Sequence, residues 1–105
     1  MNPKHGELWL ADLGLAAKTR PVVIISRDEA DPPRRLYVYV PLTTQNRASR
    51  YEVELSRYPT LRMESVVNVQ GIGSLPEPRF LRKLGVLNAE DMERVQHALR
   101  FLLTL

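Results

Sequence analysis

Short runs of β-branched and aromatic residues, separated by glycine, proline and charged residues, dominate the hydrophobic pattern of this 105-residue chain. Runs with such boundaries are typical of β-strands. Pro21–Ser26 is mostly β-branched, which predicts a strand buried on both faces, whereas Tyr51–Leu55 alternates and should bury one face only. The predicted strands are Glu7–Leu13, Pro21–Ser26, Leu36–Leu42, Tyr51–Leu55, Ser65–Gln70 and Phe80–Leu87.

A helical period appears only near the C-terminus. Apolar residues recur there at spacings of three and four, which predicts one helix with an apolar stripe packed on the sheet. The stripe consists of Met92, Val95, Leu99, Leu102 and Leu103. Asn88 suits the N-cap position, and Asp91 three residues later completes a weak capping box.

The remaining segments are predicted connections between strands. They comprise a loop of small residues at Gly14–Thr19, an irregular segment at Arg27–Arg35, a turn at Arg57–Met63 and a broken stretch from Gly71 to Pro78. We therefore predict a mainly β fold with a C-terminal helix, in which a small, curled antiparallel barrel is closed by that helix. The length predicts a single domain over residues 1–105.

The charged residues favour a polyanionic partner. The formal net charge is +3, and twelve of the fifteen basic residues are arginine, which pairs bidentately with phosphate and stacks on bases. The segment Pro32–Tyr51 contains four arginines and no acidic residue. As a group, these arginines indicate a binding partner such as a nucleic acid.

The composition argues against metal sites, other cofactors and a membrane location. The chain has no cysteine, and His5 and His97 are isolated, so we expect neither a metal site nor another cofactor. No apolar run approaches the roughly 20 residues of a membrane span. We expect a cytoplasmic protein without a membrane partner.

Polar side chains stand at the ends of two predicted strands. Arg20 precedes Pro21–Ser26, and Thr43, Thr44 and Gln45 follow Leu42. If these strands pair antiparallel, both groups lie at one end of the sheet, where a guanidinium beside hydroxyls and an amide would suit a phosphate. Structural roles are also open: Arg20 could cap a strand through a salt bridge, and the threonines could simply terminate one.

The sequence contains no glycine-rich phosphate loop, HExxH motif, Cys/His cluster or Gly-x-Ser-x-Gly elbow. Cleavage of RNA without a metal needs none of these. The substrate supplies its own nucleophile, the 2′-hydroxyl, and the protein orients it and stabilises charge on the phosphate.

Several motifs resemble the MazF/PemK family of toxins from bacterial toxin–antitoxin pairs. They are Gly-Glu-Leu-Trp at residues 6–9, Arg-Pro-Val-Val-Ile-Ile at 20–25, Pro-Leu-Thr-Thr-Gln at 41–45 and Glu-Ser-Val at 64–66. The resemblance runs from about Gly6 to Leu103. It implies an SH3-like barrel, a homodimer, and metal-independent, sequence-specific cleavage of single-stranded RNA to 2′,3′-cyclic phosphate and 5′-hydroxyl ends.

The resemblance also implies roles for individual residues. The family's catalytic arginine falls on Arg20 and its catalytic threonine on Thr43, while the general base stays unassigned. The predicted RNA-binding residues are Lys18, Thr19, Thr44, Gln45, Arg47, Asn68 and Gln70. Many members carry charged residues around the glutamine that corresponds to Gln70, whereas this chain leaves Asn68 and Gln70 as polar substitutes.

A toxin of this family would have a cognate antitoxin. We expect an acidic, disordered segment of that antitoxin to cover the RNA site and to hold the 14–19 loop away from RNA. Two other functions stay open on the same fold. One is a non-catalytic toxin that poisons DNA gyrase by protein binding, and the other is a nonspecific nucleic-acid-binding barrel.

Overall fold

The computed structural model describes residues 2–14, 18–62 and 64–105. Its elements in chain order are β1 (Glu7–Asp12), β2 (Thr19–Ile24), β3 (Leu36–Thr43), β4 (Glu52–Glu54), β5 (Val66–Asn68), β6 (Gly73–Pro76), β7 (Phe80–Val86) and α1 (Ala89–Leu103). Short 3₁₀ helices occupy Val69–Gly71 and Glu77–Arg79. The centre of the predicted 14–19 loop, and the last residue of the turn predicted to end at Met63, lie outside the described residues.

The strands pair antiparallel in the order β4-β5-β3-β2-β1-β7, and β6 pairs with β3. The mainly β fold with a C-terminal helix is thus confirmed. The predicted barrel differs in one respect: its sheet is not closed. Among the described residues, the strand order begins at β4 and ends at β7, and these two strands do not pair. The sheet curls but stays open. No described helix is long and apolar enough to cross a membrane.

The strand β3 changes partners along its length, and this explains the strand that the sequence missed. Leu36–Tyr39 pairs with β6, whereas Leu42 and Thr43 pair with β5. The strand β6 includes Gly73 and Pro76, so its composition predicted a break. An edge position tolerates proline because no neighbouring strand needs its missing N–H.

The predicted strand Ser65–Gln70 is too long, because β5 ends at Asn68 and a 3₁₀ helix follows. The side chain of Asn68 ends the strand: its Oδ1 accepts a hydrogen bond from the Gln70 N–H at 3.1 Å and caps the 3₁₀ helix. This local bond competes with a strand conformation.

Side chains on the two faces of the sheet form two apolar clusters. Leu8, Val23, Val40, Leu42 and Val67 lie in the cluster that α1 covers through Met92, Val95 and Ala98. The opposite face carries a smaller cluster of Trp9, Ala11, Val22, Ile24 and Phe80. Alternation along each strand assigns neighbouring residues to opposite faces.

The helix begins as predicted, with Asn88 Oδ1 accepting a hydrogen bond from the Asp91 N–H at 2.8 Å. Leu99 and Leu102 pack as partly buried members of the predicted stripe, but Leu103 is exposed. Ala98 is buried instead. The helix ends at Leu103, and Thr104 closes it in a left-handed conformation.

A hydrogen-bond network around Asp91 attaches the segment after β4 to the start of α1. Asp91 is 1% exposed. Its carboxylate accepts hydrogen bonds from the Ser56 N–H at 2.9 Å, the Ser56 hydroxyl at 3.1 Å and the Tyr58 hydroxyl at 2.6 Å, and it pairs with Arg94. The Tyr58 oxygen in turn accepts a hydrogen bond from the Asn88 N–H at 3.0 Å.

Replacing Asp91 should test this network. Asp91→Ala removes the buried acceptor that Ser56, Tyr58 and Arg94 share, so we expect the free energy of unfolding to fall by about 1–3 kcal/mol. Glu90→Ala removes the same charge from an exposed neighbour in the first turn of α1 and should change stability far less. Urea denaturation of the two variants makes the comparison, and equal losses would contradict the role assigned to Asp91.

The same network predicts how stability depends on pH. Burial alone would raise the pKa of Asp91, but hydrogen bonds from Tyr58, Ser56 and Arg94 outweigh burial and hold the pKa below its ordinary value of 3.8. The contribution is complete above that ordinary value and is lost as the pH falls through the lowered pKa. Asp91→Asn should therefore show a shallower loss of stability than the parent protein in acid.

Candidate functional site

The register between β2 and β3 brings Arg20 and Thr43 into line. Val22 pairs with Pro41, Val23 with Val40 and Ile24 with Tyr39. Continuing this register by two residues places Arg20 opposite Thr43. Directly opposed residues of an antiparallel pair point to the same face, with Cα atoms roughly 4.5–5.5 Å apart.

The same row extends across the neighbouring strands. Arg20 pairs with Ala11 of β1, Thr43 pairs with Val66 of β5, and Val66 pairs with Glu54 of β4. All these side chains belong to the face opposite α1, because Val23, Val40 and Val67 between them lie in the cluster that the helix covers. Arg20 and Thr43 therefore stand at the open end of the helix-free face.

Arg20 is exposed and forms no ion pair with another described residue. The described residues therefore do not support the alternative role of Arg20, in which it would cap a strand through a salt bridge. A guanidinium in this state has its donors available for a phosphate. Lys18 is also exposed and unpaired among the described side chains.

Backbone hydrogen bonds to Leu13 and Gly14 place Lys18 just before β2. The Leu13 N–H donates to the Lys18 carbonyl at 2.7 Å, and the Lys18 N–H donates to the Gly14 carbonyl at 3.2 Å. Lys18 adopts a φ of 57°. Asp12 accepts the Gly14 N–H at 2.9 Å, and its Oδ1 lies 3.6 Å from a guanidinium nitrogen of Arg79. These bonds fix the base of the loop beside Thr19, the first residue of β2.

Thr43 is half-buried, and a local turn orients its hydroxyl. The Gln45 N–H donates to Thr43 Oγ1 at 3.1 Å. Since the oxygen accepts this bond, the hydroxyl hydrogen is directed away from Gln45 and can donate to another acceptor. Thr44 and Gln45 are exposed at the exit of β3.

Asn68 and Gln70 occupy the next row of the same face. The pairing of Leu42 with Val67, continued by one residue, sets Asn68 opposite Pro41. The 3₁₀ helix after Asn68 packs on this proline, and a Cβ on Gly71 would lie 2.6 Å from Pro41 Cγ. Asn68 uses its carbonyl oxygen to cap Gln70, and so its amide NH₂ stays available, while Gln70 is exposed.

Arg47 lies on the connection between β3 and β4, and the carboxylate of Glu52 organises this connection. Glu52 accepts hydrogen bonds from the Arg47 N–H, with both oxygens at 3.1 Å, and from the Ser49 N–H and hydroxyl, each at 3.0 Å. The bonds from Ser49 and Arg47 hold the pKa of Glu52 below its usual value. The guanidinium of Arg47 forms no salt bridge with a described acidic residue, although its charge adds to the lowering of the pKa of Glu52.

The sequence-based prediction of site residues did not include Glu52. A signal was present in Ser49-Arg50-Tyr51-Glu52, which has the spacing of a capping box. The bond from the Ser49 N–H to Glu52 is one half of that motif. The Ser49 hydroxyl oxygen accepts from the Tyr51 N–H instead of the Glu52 N–H, and no helix follows. Beside it, Asn46 donates to Glu54 at 2.9 Å, and the guanidinium carbon of Arg50 stands 3.7 Å from the ring centroid of Phe101 on α1.

The two histidines lie apart from this site. His5 Nδ1 is 3.2 Å from the Ile25 carbonyl oxygen, and His97 is exposed on α1. Within the described ranges, no group of three or more His, Cys, Asp or Glu side chains has the arrangement of a metal site.

Comparisons with known proteins give the family. The sequence model of the PemK-like, MazF-like toxins of type II toxin–antitoxin systems matches residues 4–103. The probable endoribonuclease MazF5 of Mycobacterium tuberculosis is 33% identical over 99 residues, covering 92% of this chain and 89% of that protein. Endoribonuclease MazF9 of the same organism is 28% identical over 114 residues, covering 97% of each.

Solved structures agree with the sequence comparisons. A mycobacterial endoribonuclease in complex with its cognate antitoxin has a TM-score of 0.85 and 26% identity, covering 98% of this chain and 96% of that one. The Mycobacterium tuberculosis toxin MazF-mt6 has a TM-score of 0.82 and 26% identity, covering 94% and 97%. Since the family match spans nearly the whole sequence, this chain belongs to the PemK-like, MazF-like toxins of type II toxin–antitoxin systems.

Proposed function

We propose that this protein is a toxin that cleaves single-stranded mRNA in the cytoplasm without a metal ion, and that residues 1–105 act as one domain. The observation that carries the proposal is the register between β2 and β3. Continued by two residues, it sets Arg20 opposite Thr43 on the face that α1 leaves uncovered. Relatives named as endoribonucleases support the reaction class.

The proposed reaction is an in-line transfer at phosphorus. The 2′-hydroxyl loses its proton and attacks the adjacent phosphate, and the bond from phosphorus to the 5′-oxygen breaks. The products are a 2′,3′-cyclic phosphate and a 5′-hydroxyl, which takes up a proton. Arg20 stays protonated and stabilises the charge growing on the phosphate oxygens, and Thr43 donates its hydroxyl hydrogen to the same group.

The proposed RNA groove surrounds this pair. Lys18 and Thr19 precede Arg20, and Thr44 and Gln45 follow Thr43, so the ends of β2 and β3 present them together. Asn68 lies opposite Pro41 in the next row, Gln70 follows in the 3₁₀ helix, and Arg47 lies on the connection after Gln45. Unpaired cations suit phosphates, while amides and hydroxyls suit the edges of bases.

Loss of Arg20 tests the catalytic assignment. Removing one donor to the transition state costs on the order of 100- to 1,000-fold in rate, so Arg20→Ala should lose that much kcat. Thr43→Val should lose activity, and Thr43→Ser should restore part of it. Arg57→Ala, which removes an exposed arginine outside the row, is the charge-matched control.

Cleavage of a long single-stranded RNA in excess chelator, with analysis of the product ends, provides the measurement. The parent protein should remain fully active in chelator and should leave cyclic phosphate ends. Parent-like cutting by Arg20→Ala would refute the assignment of Arg20, and loss of parent activity in chelator would refute metal independence.

We also propose a homodimer. The strand β7 ends the sheet order and carries two large exposed apolar residues, Leu81 and Val86, with exposed fractions of 52% and 55%. A second copy would cover such a surface. Sedimentation equilibrium at micromolar concentration should give twice the 12.1 kDa chain mass, and Leu81→Lys should shift the equilibrium toward single chains. A parent protein that sediments only as single chains would contradict the proposal.

The proposed inhibitor is an acidic, disordered segment of a cognate antitoxin. A solved relative binds its cognate antitoxin. Here Lys18, Arg20 and Arg47, which form no salt bridge with another described residue, would attract acidic side chains. Saturating antitoxin peptide should release RNA bound to the Arg20→Ala protein, as measured by fluorescence anisotropy. A stable ternary complex would show that peptide and RNA occupy separate sites.

A further inference from the structure

We propose that Glu52 is a positioning residue for RNA binding, which holds the 44–51 connection in the shape that presents Arg47 to the RNA. The inference rests on the proposed RNA-cleaving function. It adds a residue that does not contact the substrate and acts through its neighbour in the groove.

The geometry points to Glu52 because its carboxylate is the acceptor that Arg47 and Ser49 share. Both oxygens accept the Arg47 N–H at 3.1 Å, and Oε1 also accepts the Ser49 N–H and hydroxyl. The Ser49 hydroxyl oxygen in turn accepts the Tyr51 N–H at 3.2 Å. Arg47 is thus fixed by its backbone while its side chain stays exposed.

The position of Glu52 in the sheet places this connection on the helix-free face. Glu52 pairs with Asn68, and the neighbouring pair Val53–Val67 lies in the cluster covered by α1. The carboxylate of Glu52 therefore projects from the same face as Asn68, Thr43 and Arg20. A connection folded onto that carboxylate borders the row that carries the proposed chemistry.

The remaining contacts of the connection reinforce this placement. Asn46 donates to Glu54, and the Ala48 N–H donates to Asn46 Oδ1 at 2.8 Å. Ala48, between Arg47 and Ser49, adopts a left-handed backbone conformation with a φ of 55°. Arg50 stacks on Phe101. Without Glu52, the segment from Arg47 to Ser49 would lose its shared acceptor and would have to be ordered by the RNA itself.

Electrostatics and positioning predict opposite results for removal of Glu52. If charge alone mattered, removing a negative charge beside the groove would strengthen binding of RNA, a polyanion, and so lower KM. Loss of the ordered connection would weaken binding and raise KM. The direction of the change in KM therefore shows whether Glu52 positions the connection or acts only through its charge.

The experiment measures steady-state cleavage of a single-site RNA by the full chain. We expect Glu52→Ala to raise KM on the order of 10-fold, the cost of ordering a few side chains at an interface, with kcat within about 2-fold of the parent since Arg20 and Thr43 are untouched. Glu52→Gln keeps the shape and one carbonyl acceptor, and so it should give an intermediate KM. Glu93→Ala, an exposed residue of α1 that removes the same charge, should leave KM unchanged.

A double-mutant cycle asks whether Glu52 acts through Arg47. If it does, Arg47→Ala should raise KM by itself, and Glu52→Ala added to it should cost little more. Hydrogen exchange gives a readout without RNA, in which the amides of Arg47 and Ser49 should exchange faster in Glu52→Ala and Glu52→Gln than in the parent. Should Glu52→Ala fail to fold, Glu52→Gln carries the test.

The outcomes distinguish this inference from the proposed function. A parent protein that cuts RNA while Glu52→Ala and Glu52→Gln show an unchanged or lowered KM would overturn the role of Glu52 alone. Additive effects of Glu52 and Arg47 would also overturn it. A parent protein that neither cuts nor binds RNA would overturn the proposed function, and with it this inference.

Discussion

The antiparallel register between β2 and β3 is the constraint on which the proposed site depends. Val23 and Val40 are opposed and fully buried, and they point into the cluster covered by α1. A slip of one residue would turn these side chains to the opposite face, so burial specifies the register strongly. Arg20 and Thr43 inherit their alignment from this core. Two polar side chains at the open end of a ladder could not hold themselves in line.

The local sequence pattern predicted the elements with strong, uninterrupted signals. The strands β1, β2 and β3, and the helix with its Asn88 cap, follow from β-branched runs and a helical period. The sequence missed β6, since Gly73 and Pro76 look like breaks and the pairing that recruits them depends on β3 changing partners. Such an exchange is a tertiary event without a local signal. The same holds for the sheet remaining open between β4 and β7.

The sequence predicted those residues of the candidate site that lie at the ends of strands. An antiparallel arrangement of two buried strands brings the residue before one strand near the residue after the other. The register of β2 and β3, continued to the strand ends, sets Arg20 opposite Thr43 in that way. Glu52 could not be recognised in this way. For a glutamate on the solvent-exposed face of a strand, the alternating sequence pattern is the same whether its carboxylate accepts hydrogen bonds from water or from a neighbouring backbone. Only the fold of the 44–51 connection shows its hydrogen-bond partners.

Two kinds of interaction hold the residues of this site in place, and they differ in how freely substitutions can change them. Arg20 and Thr43 are held by a ladder that shares its register with the core, so substitutions that disturb the ladder endanger the whole domain. The 44–51 connection and the 3₁₀ helix after Asn68 are held mainly by local side-chain bonds to Glu52, Glu54 and Asn68. Changes there leave the ladder intact. The proposed reaction centre is thus tied to the core, whereas the shape of its periphery can change independently of the core.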